Sequence, residues 1–261
     1  GETRRVPFWG RVSVAALRRH RVLTLSRPGT FRGTTRGHPA LVTRYRYPES
    51  PDGAGVTTVL RGPETVYRFR LTRRVANFGV VVTSRGRGSQ VEPRVVVGLD
   101  ENRLTGYAGL PIHHNPYAEG FRTNILAAAA LSPTRGEYGI VFDSGARAGA
   151  GRFTFRFWVH DVKAPKLRVR SRSVRLGQPL LVSATDAGSG IDPDSIRASV
   201  DGELVGAQLR RGVLRVQTGG LSAGTHQLRL RVSDYQETKN TENVSRILPN
   251  TRVLTGSFTI R

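Results

Sequence analysis

The sequence predicts an all-β protein in which two β-sandwich domains follow one another along the chain. Segments of alternating apolar and polar residues recur throughout, and this alternation is typical of strands with one buried and one solvated face. The 30 glycines and 14 prolines supply the turns that many short strands require. Segments with helical propensity are few and short. Together these observations favour layered sheets over packed helices.

Four alternating segments give the clearest strand predictions. In each of them, every second residue is expected to face a core and the residues between to face solvent. The inward rows are Tyr67, Phe69 and Leu71; Phe153, Phe155, Phe157 and Val159; Ile196, Ala198 and Val200; and Leu228, Leu230 and Val232. The outward residues are Arg68, Arg70, Thr154, Arg156, Trp158, His160, Arg229 and Arg231.

Further strands and turns are predicted between these four segments. The apolar runs at residues 79–83 and 94–98 are expected to be strands that are buried on both faces. The segment NILAAAAL is compatible with a strand or with a short helix, because alanine favours helices but the segment is short. Asp201 and Gly202 predict a tight hairpin. Residues 253–260 alternate as a final strand, and the polar residues 236–246 before them are expected to pack on the first domain or to form a mobile surface loop.

The domain boundary is expected where Pro165 interrupts the alternation and a new alternating run begins. We expect a jelly-roll-like sandwich over residues 56–162 and an immunoglobulin-like sandwich over residues 163–261. Residues 1–55 are expected to form an N-terminal extension that packs on the first sandwich. Within it, the chain from Arg27 is predicted to be irregular and then to enter one extended segment.

The chain is strongly basic, with a formal net charge of +22 over 261 residues. Three of its 41 basic residues are lysines, Lys163, Lys166 and Lys239, and the others are arginines. Such a charge attracts polyanions, including acidic cell-envelope polymers. The alternative is that a GC-rich genome places arginine wherever a strand needs a solvated residue. Arg68, Arg70, Arg229 and Arg231 are the candidate anion-binding residues.

Several classes of function are disfavoured by the residue types and their spacing. The chain has no cysteine, which excludes thiol catalysis and thiolate metal sites. No serine lies in a nucleophile elbow, and His160 and Asp161 are strand neighbours whose side chains point to opposite faces. Aromatic residues amount to 7% and fall mostly at inward positions, so specific nucleic-acid binding by base stacking is not expected.

Two segments carry candidate metal ligands. The loop ATDAGSGIDPDS offers Asp186, Asp192 and Asp194, whose oxygens suit calcium, although Asp and Gly also favour ordinary turns. The adjacent pair His113 and His114 could donate to zinc, but no third ligand lies near it in the sequence, and the alternative is an exposed loop. We expect no other cofactor.

A set of longer phrases resembles one known group of proteins. These phrases are VPFWGRV, RPGTFRGTTRGHPALVTRYRYP, RRVANFGVVV, DENRLTGYAGLP, AGRFTFRFWV and SDYQETKNTENV. Together they resemble the region downstream of the catalytic domain in secreted subtilisin-like serine peptidases of actinobacteria. GPETVYRF and RGEYGIVFDS are similar to the pre-peptidase C-terminal type of β-sandwich. DAGSGID, VDG and LSAGTHQLRLRVSD are similar to bacterial immunoglobulin-like modules.

The resemblance implies a secreted or cell-surface accessory region without enzymatic activity, because no stretch matches the Asp, His and Ser motifs of the peptidase family. Its partner would be an upstream peptidase domain. A second interpretation is a structural extracellular protein, an adhesin or a filament subunit, whose copies add strands to one another's sheets. A third interpretation is a polyanion-binding module.

Overall fold

The computed structural model of this protein describes residues 23–37, 40–46, 57–97, 126–131, 133–144, 146–235 and 250–261. The chain divides into two compact units, Gly1–His160 and Asp161–Arg261. Strands make up nearly all of the regular structure of these residues, which confirms the all-β prediction. The same residues include two single turns of 3-10 helix between strands, Arg147–Gly149 and Pro193–Ser195.

The first unit contains two sheets in its described residues. Its strands are β1 (Leu23–Thr24), β2 (Gly29–Thr34), β3 (Ala40–Arg46), β4 (Thr57–Leu71), β5 (Asn77–Arg85), β6 (Glu92–Val97), β7 (Ala127–Leu131), β8 (Gly136–Asp143) and β9 (Arg152–Val159). One sheet has the order β1-β4-β8-β6, with β3 also paired to β4. The other has the order β2-β9-β5-β7. Neighbours are antiparallel, except that β1 runs parallel to β4.

An aromatic cluster fills the space between these two sheets. Phe155 of β9 lies at its centre and is fully buried. Its ring centroid lies 4.5 Å from that of Phe142 on β8, 5.1 Å from Tyr67 on β4 and 5.4 Å from Phe31 on β2. Tilted and edge-to-face pairs of this kind add to the free energy gained by burying the rings. The predicted inward rows of β4 and β9 therefore meet across the core.

The N-terminal region is partly built into the sheets. The prediction of irregular chain after Arg27 is wrong, because β2 pairs with β9 from Gly29↔Phe157 to Thr34↔Arg152. Alternating small residues concealed this strand from sequence analysis. Gly33 is one of them, and a Cβ at that position would lie 2.4 Å from the Phe153 ring. The extended segment predicted after it is present as β3. Residues 1–22, 38–39 and 47–55 of the predicted extension lie outside the described residues.

Trp158 is buried, although its place in the alternation predicts exposure. It is 1% exposed and faces away from the aromatic cluster, opposite Gly79 of β5. A Cβ on Gly79 would lie 2.4 Å from the indole, so the glycine provides the space that the ring occupies. The same face also buries Val81 and Ala129. β5 is therefore buried on both faces, as its apolar run predicted, and NILAAAAL contains strand β7 and not a helix.

The second unit is a two-sheet sandwich with the strand partition of an immunoglobulin domain. Its strands are β10 (Lys166–Val169), β11 (Ser173–Val174), β12 (Leu180–Thr185), β13 (Arg197–Val200), β14 (Glu203–Val205), β15 (Ala207–Arg210), β16 (Val213–Val216), β17 (Gly224–Ser233) and β18 (Thr251–Ile260). The orders are β10-β12-β16-β15 and β11-β18-β17-β13-β14. β11 runs parallel to β18, and the other described pairs are antiparallel.

The core of the second unit confirms the alternation predicted for β13 and β17. The inward rows Ile196, Ala198 and Val200 and Leu228, Leu230 and Val232 are all buried, whereas Arg229 and Arg231 are exposed. The predicted hairpin is present between β13 and β14. Asp201 and Gly202 have φ angles of 53° and 93°, the left-handed geometry that a two-residue hairpin needs.

Replacing Phe155 by alanine is expected to destabilise the first unit by about 3–5 kcal/mol, because the mutation removes a fully buried ring and leaves a cavity among its aromatic neighbours. Trp158 is buried in this unit, and residues 161–261 contain no tryptophan, so urea unfolding followed by tryptophan fluorescence reports on the first unit. The matched control is Thr30→Ala at an exposed position of β2, with an expected change within about 0.5 kcal/mol. Equal decreases in the free energy of unfolding in Phe155→Ala and Thr30→Ala would contradict the central role of Phe155 in the core.

Candidate functional site

Three carboxylates converge at one end of the second unit. They belong to Asp161 at the start of the unit, Asp186 directly after β12 and Asp234 directly after β17. One oxygen of each lies within 4.8 Å of an oxygen of the other two. Asp161 and Asp234 are buried and Asp186 is half-buried. We call these three residues the aspartate cluster.

Hydrogen bonds tie the aspartate cluster to the adjoining loops. The Ser189 N–H donates to Asp161 Oδ2 at 2.5 Å, and the Gly190 N–H donates to Asp186 Oδ1 at 2.7 Å. Asn250 Nδ2 donates to Asp234 Oδ2 at 2.8 Å and to the Asp161 carbonyl at 3.2 Å. The network joins the start of the unit, the loop after β12, the end of β17 and the residue that precedes β18.

Oxygen donors of this kind suit hard cations such as calcium. Asp161, Asp186 and Asp234 are the residues that could hold one, with Asn250 beside them. The same carboxylates already accept backbone or amide N–H groups, so the cluster also works as a structural junction without a metal. Calcium therefore stays a prediction for this end of the unit.

The structure groups the candidate ligands differently from the sequence. Asp186 joins the cluster, whereas Asp192 accepts the Asp194 N–H at 3.0 Å and begins the 3-10 turn Pro193–Ser195. No local spacing in the sequence connects Asp161, Asp186 and Asp234, because strands of two different sheets bring them together. The available signal was weak: Asp161 and Asp234 come shortly after predicted strands, and no strand was predicted beside Asp186. His113 and His114 lie outside the described residues.

Gly188 leaves the space that the Asp161 carboxylate occupies. A Cβ at position 188 would lie 2.0 Å from Asp161 Cγ and 2.2 Å from either carboxylate oxygen. Any larger residue there would have to displace the carboxylate and break its hydrogen bond with Ser189. Both partners of that bond are buried, so neither could turn to water in compensation.

A histidine–aspartate pair stabilises the turn between β13 and β14 against β17. His226 Nδ1 lies 2.7 Å from Asp201 Oδ2, and His226 Nε2 lies 2.9 Å from the Ser222 carbonyl. Both partners accept hydrogen bonds, so the doubly protonated ring satisfies both contacts. The hydrogen bond with Asp201, followed by that with Ser222, raises the pKa of His226. The Gln227 N–H and then His226 lower the pKa of Asp201.

His160 and Asp161 each hydrogen-bond to the backbone of their own unit. His160 Nδ1 accepts the Ala76 N–H at 3.0 Å, and the His160 N–H donates to the Asn77 carbonyl at 2.7 Å. Asp161 belongs to the other unit and accepts the Ser189 N–H there. Each side chain thus serves its own domain as a hydrogen-bond partner of the backbone.

The four predicted anion-binding arginines are exposed, but their surroundings differ. Arg68 Nε lies 3.2 Å from Glu137 Oε1, and Arg70 is the cross-strand neighbour of Glu137, so an acid accompanies both arginines. Arg229 and Arg231 lie on the outer face of the second unit beside Arg197, which is the strand neighbour of Arg231. Sequence analysis did not identify Arg197 as part of this group.

No protein-family model matches the chain, and no curated protein sequence matches it. Among solved structures, a DUF4785 family protein from Legionella pneumophila aligns with 99% of this chain and 70% of its own, at 9% identity and a TM-score of 0.25. An ICAM-5 ectodomain fragment aligns with 98% of this chain and 77% of its own, at 14% identity and a TM-score of 0.24. Scores this low do not establish a shared fold, so the fold assignment rests on the strand order itself.

The described residues include no helix that is both long enough and apolar enough to cross a lipid bilayer.

Gly188→Ala is expected to weaken the junction at the aspartate cluster by about 1–3 kcal/mol, because displacing the Asp161 carboxylate leaves a buried N–H unsatisfied. Hydrogen exchange of the Ser189 and Gly190 amides, read by mass spectrometry, measures the change as lost protection. Gly219→Ala is the matched control, since a Cβ there meets nothing within 4 Å. Unchanged protection in Gly188→Ala would contradict the proposed junction.

The His226–Asp201 pair is expected to make the stability of the second unit depend on pH. Because folding raises the pKa of His226, its contribution to the free energy of unfolding is fully present below its ordinary pKa of 6.5. That contribution is lost as the pH rises through the pKa of His226 in the folded protein. A lowered aspartate pKa means that its contribution is present above 3.8 and is lost as pH falls. Protection of the Gln227 amide is therefore expected to be higher at about pH 5.5 than at about pH 9, after correction for intrinsic exchange. In His226→Gln the difference in Gln227 protection between the two pH values should shrink. An unchanged difference would contradict the assignment of the pH dependence to the His226–Asp201 pair.

Proposed function

We propose that this chain is a non-catalytic accessory region of a secreted or cell-surface protein related to subtilisin-like peptidases, and that it binds, positions or stabilises a partner. The resemblance of its longer phrases to the region downstream of such catalytic domains motivates the setting. The partner in that setting is an upstream peptidase domain.

One observation carries the proposal: the described groups best suited to acid–base chemistry are engaged in holding the fold. His226 bridges Asp201 and the Ser222 carbonyl, and His160 accepts a backbone N–H. Asp161 likewise accepts the Ser189 N–H in a buried position. A general base must reach a proton on a substrate, whereas these side chains reach backbone groups of their own units.

The architecture suits the same role. Both units are sandwiches in which the rows facing inward are buried, and loops at the sandwich ends are fastened by hydrogen bonds such as those of the aspartate cluster. Such a scaffold can present loops and sheet faces to a partner with little loss of conformational entropy on binding.

The purified chain is expected to hydrolyse neither casein-derived fluorogenic peptides nor p-nitrophenyl esters above the buffer rate. Turnover that is lost in His160→Gln or His226→Gln would contradict the proposal, because contaminating enzymes would not respond to these substitutions. Light scattering after size-exclusion chromatography supplies a second measurement. A monomer of 28.6 kDa is expected for an accessory region, whereas polymers would favour the structural, filament-forming alternative.

A further inference from the structure

The outer face of the four-stranded sheet in the second unit is basic. Alternation turns Leu167, Val169, Leu209 and Leu214 toward the core, so the residues between them point outward. The outward cations are all exposed: Lys166 and Arg168 on β10, Arg170 directly after it, Arg210 on β15 and Arg215 on β16. The outward positions of these four strands carry no acidic residue. This face therefore differs from that of Arg68 and Arg70, where Glu137 supplies a negative charge.

A pocket of about 250 Å³ adjoins this face. Arg170, Arg175 and Arg215 line it together with Ser171, Gln178 and Leu181. No aspartate, glutamate or aromatic side chain is among its lining residues. The lining thus combines three arginines with polar residues around a small apolar surface.

The strand register explains why Arg170 and Arg215 lie on either side of one residue, Leu181. The Arg170 N–H donates to the Leu181 carbonyl, which extends the pairing of β10 with β12. Leu181 is in turn the cross-strand neighbour of Arg215. Arg170 and Arg215 therefore flank Leu181 from opposite sides, about 10 Å apart at the backbone. Arg170 Nε donates to Ser183 Oγ at 2.9 Å, which orients its guanidinium on the outer face. Arg175 approaches from the loop between β11 and β12.

Guanidinium groups bind phosphate oxygens through pairs of parallel N–H donors. Three of them around one pocket match a tetrahedral dianion or monoanion, and the nearby Arg168 and Arg210 extend the same charge across the sheet. Single-stranded nucleic acids that bind without sequence preference are held by aromatic platforms as well as by charge. The pocket lining offers no such platform, which favours a polyanion without bases over a single-stranded nucleic acid.

We propose that this pocket and the adjoining basic face bind a linear phosphate-bearing polymer without bases, with one phosphate in the pocket and its neighbours along the face. The inference supplies a partner for the accessory function proposed above and rests on that function for its biological setting. The two proposals can fail separately. A failure to bind the polymer would not affect the hydrolysis and light-scattering tests of the accessory function. Observed hydrolysis would contradict the accessory function but would not affect the binding measurement.

Fluorescence anisotropy with labelled linear polyphosphate tests the site on the full chain. The triple variant Arg170→Gln, Arg175→Gln, Arg215→Gln is expected to bind at least about tenfold more weakly. The slope of its log binding constant against log salt concentration should be smaller in magnitude by about 2, as expected when about three phosphate contacts are lost. The matched control is Arg197→Gln, Arg229→Gln, Arg231→Gln, which removes the same charge from the other sheet. Its affinity is expected to change by less than about threefold.

Equal weakening in both triple variants would show that net charge alone binds the polymer, and would overturn the site. Oligo(dT) of matched charge is the comparison ligand. If it bound more tightly than polyphosphate, and only the pocket variant lost affinity for it, the partner would be a nucleic acid and the proposal of a polymer without bases would be overturned.

Circular dichroism checks the fold of each variant. Arg175→Gln alone changes a loop and no strand, so it tests the pocket even if the triple variant unfolds; about threefold weaker binding is expected, and unchanged affinity would contradict the site.

Discussion

Side-chain alternation across a sheet is the constraint on which the rest of this structure depends. A strand that turns Leu228, Leu230 and Val232 into a core must turn Arg229 and Arg231 out of it. Because the outward rows are rich in arginine, folding itself builds basic surfaces on the sandwich. Among the described residues, the pleat of the strands thus determines where arginines lie on the surface, and strand order determines which of them become neighbours.

Buried polar groups are the second determinant of the architecture, and they act locally. The aspartate cluster and the His226–Asp201 pair each join segments that are far apart in the sequence, through charge-assisted hydrogen bonds to the backbone or to side-chain amides. Asp161, Asp234 and His226 are buried, so an arrangement of the loops that removes their hydrogen-bond partners costs free energy, whereas Asp201 is exposed to solvent. These side chains thereby take structural roles in their loops, and this observation supports the accessory role that we propose.

The three arginine-bearing faces show how tertiary context separates residues that look alike. Arg68 faces Glu137, Arg197 donates through Nη1 to the carbonyls of Asp194 and Ile196, and Arg170 lines a pocket with two other arginines. In the sequence each of them is simply an arginine in or beside an alternating strand. Their different neighbours follow from strand order and register, which a local pattern does not encode. The anion site that we propose therefore lies on a different sheet from Arg68, Arg70, Arg229 and Arg231, whose own anion binding stays a prediction.

The sequence by itself determined the all-β class, the inward rows of β4, β9, β13 and β17, and the hairpin at Asp201 and Gly202, because period-two alternation and left-handed turn residues are local properties. Tertiary structure alone decided that Trp158 is buried, since only the pairing of β9 with β5 places Gly79 beneath the indole. It likewise decided that Asp186 joins Asp161 and Asp234 and not Asp192 and Asp194. Residues distant in the sequence become ligands or neighbours only when strands pair, and long-range pairing depends on the whole set of buried contacts.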